Sequence, residues 1–81
     1  MHIHVKLFAI LRDRADAAEA EIELPAGSAV CDAVGLVAER YPAIADLLTR
    51  IAFAVNREYV PASTELHDGD ELALIPPVSG G

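Results

Sequence analysis

The residues best placed for chemistry are the final six, Pro76-Pro77-Val78-Ser79-Gly80-Gly81. Gly80 and Gly81 lack Cβ atoms, so the backbone there is thin and reaches angles closed to other residues. An enzyme could close around such a strand and still reach the carboxylate at its end. A carboxylate is a poor electrophile at neutral pH. Adenylation by ATP would turn it into an acyl-adenylate, and a sulfur donor could then displace AMP to leave a thiocarboxylate. Gly81, taken as the natural terminus, is therefore the candidate acyl site. No side chain of this chain need perform the reaction. A partner would supply the nucleotide site, and no cofactor is expected to bind here. Proline fixes φ at about −65°, and a Pro-Pro pair favours an extended path. Pro76 and Pro77 should thus stop the preceding strand and direct the tail outward. Val78 to Gly81 can then span roughly 13–14 Å, enough to enter another protein's active site. The bland alternative is a polar tail that happens to end in glycine.

Other reactive side chains suit simpler roles. Cys31 is the one cysteine, which excludes an internal disulfide and a zinc cluster of thiolates. It could relay sulfur, but it reads as a small residue packed in the first turn of a helix, because free cysteine is commonly buried. His2 and His4 share a strand face with no third ligand at useful spacing, so exposed strand positions account for them. His67 falls in a polar loop and reads the same way. Lys6 and Arg57 could contact an acidic partner tail or balance the acidic surface. The residues leave both open.

The elements that must hold the tail follow from periodicity. His2 to Leu7 alternates polar and apolar, placing Ile3, Val5 and Leu7 on one face. Leu11 to Ala18 is polar and Ala-rich, a short helical turn or connector. Glu19 to Leu24 alternates again and stops at Pro25 and the Ala26-Gly27 turn. Ser28 or its neighbour starts a helix, with Asp32 in the first turn, where the helix dipole favours an acid. Val30, Val34, Val37, Ala38 and Tyr41 then form one apolar stripe that must lie on a sheet. Gly35 interrupts it at a cost of up to about 1 kcal/mol, and close approach of helix to sheet is a reason it could be there. Pro42 ends the helix and opens a further helical segment, Ala43 to Thr49. Phe53-Ala54-Val55 and Tyr59-Val60 are short strands around an Asn56-Arg57-Glu58 turn. Asp68-Gly69-Asp70 turns the chain into the last strand, Glu71 to Ile75.

This order is α+β. A hairpin, a crossover helix and a final strand beside the first suit a β-grasp, ubiquitin-like arrangement: a mixed sheet against one main helix plus a short one. Residues 1–75 would form the domain and residues 76–81 an extended tail.

Composition narrows the partners. An 81-residue chain holds one domain, and one this short buries only about 60% of its unfolded surface. Its hydrophobic content of 53%, mostly aliphatic, supplies a core. Six Lys and Arg against 13 Asp and Glu give a net charge of −7. That repels phosphate backbones and anionic lipid, so neither nucleic acid nor membrane is an expected partner. Glu58, Glu65, Asp68, Asp70 and Glu71 form an acidic rim that is either solvated surface or a docking feature. The N-terminal alternation is unlike a signal peptide, and no apolar run approaches the ~18 residues of a membrane span. A cytoplasmic protein is expected.

The segment Asp68-Gly69-Asp70-Glu71-Leu72-Ala73-Leu74-Ile75-Pro76-Pro77-Val78-Ser79-Gly80-Gly81 resembles the C-terminal signature of the small subunit of molybdopterin synthase. Val5 to Arg12 resembles that family's first strand, and Ala54 to Val60 its central hairpin. The resemblance implies a β-grasp fold and a thiocarboxylate at Gly81. It implies activation by an ATP-dependent adenylyltransferase, sulfur supplied by a sulfurtransferase, and a heterotetramer with the large synthase subunit. That assembly would insert sulfur into a cyclic pyranopterin precursor in molybdenum cofactor biosynthesis. Pro76, Pro77, Val78, Ser79 and Gly80 would be the inserted tail, and Phe8 part of a partner-facing apolar surface on the first strand. Two positions depart from the pattern. Leu74 and Ile75 stand where aromatics are common, and Ala29 stands where Thr or Ser often opens the helix. The same tail chemistry would also serve a ubiquitin-like protein modifier, or a sulfur carrier for thiazole or tRNA thiolation.

Overall fold

The computed structural model describes residues 1–76. Along them run β1 (His2–Leu7), α1 (Ala9–Ala15), β2 (Glu19–Glu23), α2 (Val30–Arg40), β3 (Ala52–Val55), β4 (Glu58–Val60) and β5 (Glu71–Ile75). Two 3-10 turns, Pro42–Ile44 and Leu48–Arg50, lie between α2 and β3. The strands form one sheet in the order β2-β1-β5-β3-β4. β1 runs antiparallel to β2 and parallel to β5, so the last strand occupies the sheet's centre. The last strand lies beside the first, as expected from the sequence, while spacing alone does not fix the rest of the order.

Period-two alternation sorts each strand into a core face and an open face. Ile3, Val5, Leu7, Ala20, Ile22, Leu72 and Leu74 point to one side and meet Val30, Ala33 and Val37 of α2. Leu11, Ile44, Leu48 and Leu66 close the ends of this core. Each large aliphatic side chain removed from water there contributes about 1.5–3 kcal/mol before chain entropy is opposed. The start of α2 is held by neighbouring backbone. The Val30 and Cys31 N–H groups donate to the carbonyls of Thr64 and Ala62, both at 2.9 Å. Ala29 is the N-cap and has no side-chain acceptor, so only one half of a capping box exists. In that half the Ala29 N–H donates to Asp32 Oδ2 at 2.8 Å.

Four expectations need correction. Cys31 is exposed, not packed. Val30, Ala33 and Val37 define the buried stripe, and Cys31 lies about 100° round the helix from Val30. Gly35 is exposed as well, and a Cβ built there would meet nothing within 4 Å, so close approach to the sheet does not explain it. The helical segment at Ala43 to Thr49 resolves into 3-10 turns. Its bonds run from Ile44 to Tyr41, Ala45 to Pro42 and Leu47 to Ile44, all three residues apart. With only Ile44 and Leu48 buried, too few contacts offset the cost of nucleating an α-helix. Phe8, finally, is not on β1 but is the residue that caps α1.

Candidate functional site

The open face of the sheet is the surface that the helices leave uncovered. One row crosses all five strands: Glu19, Lys6, Ala73, Ala54 and Tyr59 are successive cross-strand neighbours. In the row beyond, Ile75 pairs with Ala52. Along the first row, and reaching the positions on either side of it, lies a shallow groove of about 260 Å³ lined by Lys6, Phe8, Ala54, Arg57, Tyr59, Glu71, Ala73 and Ile75. Phe8 and Tyr59 line it from β1's end and from β4, and are 41% and 73% exposed. Ala54 is buried although it stands apart from the core cluster, because it lies on the groove floor between Tyr59 and Ala73.

Charge crosses the floor. Lys6 Nζ lies 2.9 Å from Glu71 Oε1. The hydrogen bond from Lys6 holds the Glu71 carboxyl below the ordinary value of 4.5, helped by the charges of Lys6, Arg57 and His4 and opposed by partial burial. Arg57 makes no ion pair among the described residues. It is set at the rim by the β3–β4 hairpin, whose two loop residues, Asn56 and Arg57, have φ of 50° and 72°. Positive φ at both positions is the geometry that matches a two-residue hairpin to strand twist. Asn56 ties this turn to β5. Its Nδ2 donates to Asp70 Oδ1 at 2.9 Å, and its Oδ1 accepts the Glu71 N–H at 3.1 Å.

Of the residues assigned to the tail and the partner-facing surface, Phe8 and Pro76 lie in the described part. Phe8 lines the groove, and half-buried Pro76 directly follows Ile75, another of its lining residues. Pro77, Val78, Ser79, Gly80 and Gly81 lie outside the described residues. His2 and His4 are engaged by the glutamates of β2: His2 with Glu23 at 3.3 Å, His4 with Glu19 at 3.1 Å and Glu21 at 3.7 Å. Among the described residues no helix is long and apolar enough to cross a membrane. Tyr59, Ala54, Ala73 and Ile75 were not foreseen as site residues. The available signal was apolar side chains at Ala73 and Ile75, out of phase with the core positions Leu72 and Leu74, where a solvated strand face would carry polar groups.

A five-stranded mixed sheet with its last strand central and α2 across one face defines a ubiquitin-like β-grasp domain. The chain belongs to the ThiS family, whose model matches residues 5–81. It is 41% identical over 83 residues to the molybdopterin synthase sulfur carrier subunit of Chlamydomonas reinhardtii, covering all of both chains. The Mycobacterium tuberculosis protein of the same name is 38% identical over 80 residues, covering 98% of this chain and 96% of that one. Among solved structures, the SAMP1 protein of Haloferax volcanii superposes with a TM-score of 0.90 at 29% identity, over the full length of both.

Proposed function

We propose that this chain is the sulfur-carrier subunit of a molybdopterin synthase, with the Gly81 carboxylate as its working group. Residues 1–75 are the folded body and residues 76–81 the delivery tail. An ATP-dependent adenylyltransferase joins a Gly81 carboxylate oxygen to the α-phosphorus of ATP, and pyrophosphate leaves. A sulfurtransferase system then delivers sulfide to the acyl carbon, AMP leaves, and a thiocarboxylate remains. The tail carries that sulfur into the large synthase subunit, where it passes to a cyclic pyranopterin precursor. Phe8 and the groove around it seat the large subunit in a heterotetramer. The work is placed in the cytoplasm. ATP is bound by the activating partner, not by this chain.

One observation carries the reading. The family match spans residues 5–81, and near-full-length relatives are sulfur carrier subunits by name. The geometry supports it, since β5 ends at Ile75 on the groove margin and Pro76 follows directly. The test is intact mass after incubation with ATP, the activating enzyme and a sulfide source. Replacement of one oxygen by sulfur at Gly81 is expected, and an unchanged mass would end the proposal. The likeness to SAMP1, a small archaeal modifier protein, favours one second reading, in which the activated Gly81 acyl group is joined to lysines of other proteins. Covalent ladders on target proteins would favour that outcome.

A further inference from the structure

We propose that the groove selects its partner by charge: it takes a segment of the large subunit that seats an Asp or Glu carboxylate against Arg57, beside Lys6, and an apolar side chain between Phe8 and Tyr59. This rests on the carrier reading above.

The chain as a whole has 13 acidic residues against six basic ones. In the groove the balance inverts, with Lys6 and Arg57 facing the single carboxylate of Glu71. Lys6 is engaged with Glu71 at 2.9 Å, and Arg57 has no ion-pair partner among the described residues. A purely apolar occupant would strip water from the guanidinium and return nothing, and a basic one would be repelled. A carboxylate satisfies the planar fork of arginine with paired hydrogen bonds.

Backbone geometry decides which variant tests this cleanly. Arg57 sits at φ 72°, where glycine or asparagine is unstrained and an arginine is not. Nothing in the turn itself calls for a guanidinium.

The experiment measures affinity for the large subunit by calorimetry with wild type, Arg57→Gly and Arg57→Glu. Arg57→Gly relieves the strained turn, so its melt should equal or exceed wild type and lost binding cannot be blamed on misfolding. Arg57→Gly should bind about tenfold more weakly, and Arg57→Glu more weakly still. The gap between wild type and Arg57→Glu should shrink as salt is raised. Replacing one interfacial carboxylate of the large subunit with arginine should restore binding to Arg57→Glu. Lys6 is the only lysine in the chain, so amine labelling at that residue reports cover of the groove, and protection in the complex is expected. Failure of wild type to bind the large subunit would overturn the carrier reading itself. Equal binding by all three proteins, or unprotected Lys6 in a formed complex, would overturn only the charge anchor.

Discussion

Replacing Gly35 with alanine isolates one physical effect. Gly35 is the sixth of 11 residues in α2, Val30–Arg40, far from either cap. It is exposed, its φ is not positive, and an added Cβ would meet nothing within 4 Å. Neither a clash nor a filled cavity enters the balance. What remains is intrinsic helix preference, about 0.8–1.0 kcal/mol in favour of alanine. For a domain of this size such a gain raises the melting temperature by about 4–8 °C. With a urea slope of about 1–3 kcal/mol/M, the midpoint should rise by roughly 0.3–1 M. Urea titrations followed by far-UV circular dichroism measure this directly, and the slope should not change. Binding to the large subunit should not change either, because α2 covers the core face and the groove lies on the other. A loss of stability in Gly35→Ala would refute the reasoning, for it would mean that glycine is required by the backbone or by a neighbour.

Three further outcomes can be checked. Ala29→Ser adds a hydroxyl beside the Asp32 N–H, which already donates to the Ala29 carbonyl at 3.0 Å, so the gain in thermal melts should stay below about 0.5 kcal/mol; a larger gain would mean that the existing bond caps the helix poorly. The folded chain holds the Glu71 proton more weakly than the unfolded chain does, because its pKa is lowered from 4.5. The stabilisation is therefore present above that value and fades as pH falls through the lowered folded value, so Lys6→Met should flatten the acid limb of a stability profile. Because the pair is partly exposed, the change should be small, and an unaltered acid limb in Lys6→Met would remove the pair's role. Deleting Gly81 should abolish thiocarboxylate formation and leave the melt nearly unchanged, since every buried core residue among those described lies between Ile3 and Leu74. A large fall in melting temperature would make the tail a structural element.

What could be read without coordinates was local. Alternation along His2–Leu7 and Glu19–Leu24, the Pro76-Pro77 stop and the glycines at the end each depend on a few neighbouring residues. The boundaries that failed were those where a neighbouring element had the deciding vote. Ala43 to Thr49 has helical spacing, yet too little of it meets the core. Cys31 is of a type often buried, but its angle on α2, set by Val30 and Val37 docking on the sheet, turns it to solvent.

The chemistry proposed for the tail rests on residue type and order alone, because it needs an acyl group thinned by glycine and no particular fold around it. The groove on the open face does not. Lys6, Tyr59 and Ala73 belong to three segments far apart in the chain, and only the β1–β5–β3–β4 pairing sets them in one row. Register is a long-range property, and shifting one strand by a single residue would have turned these side chains into the core.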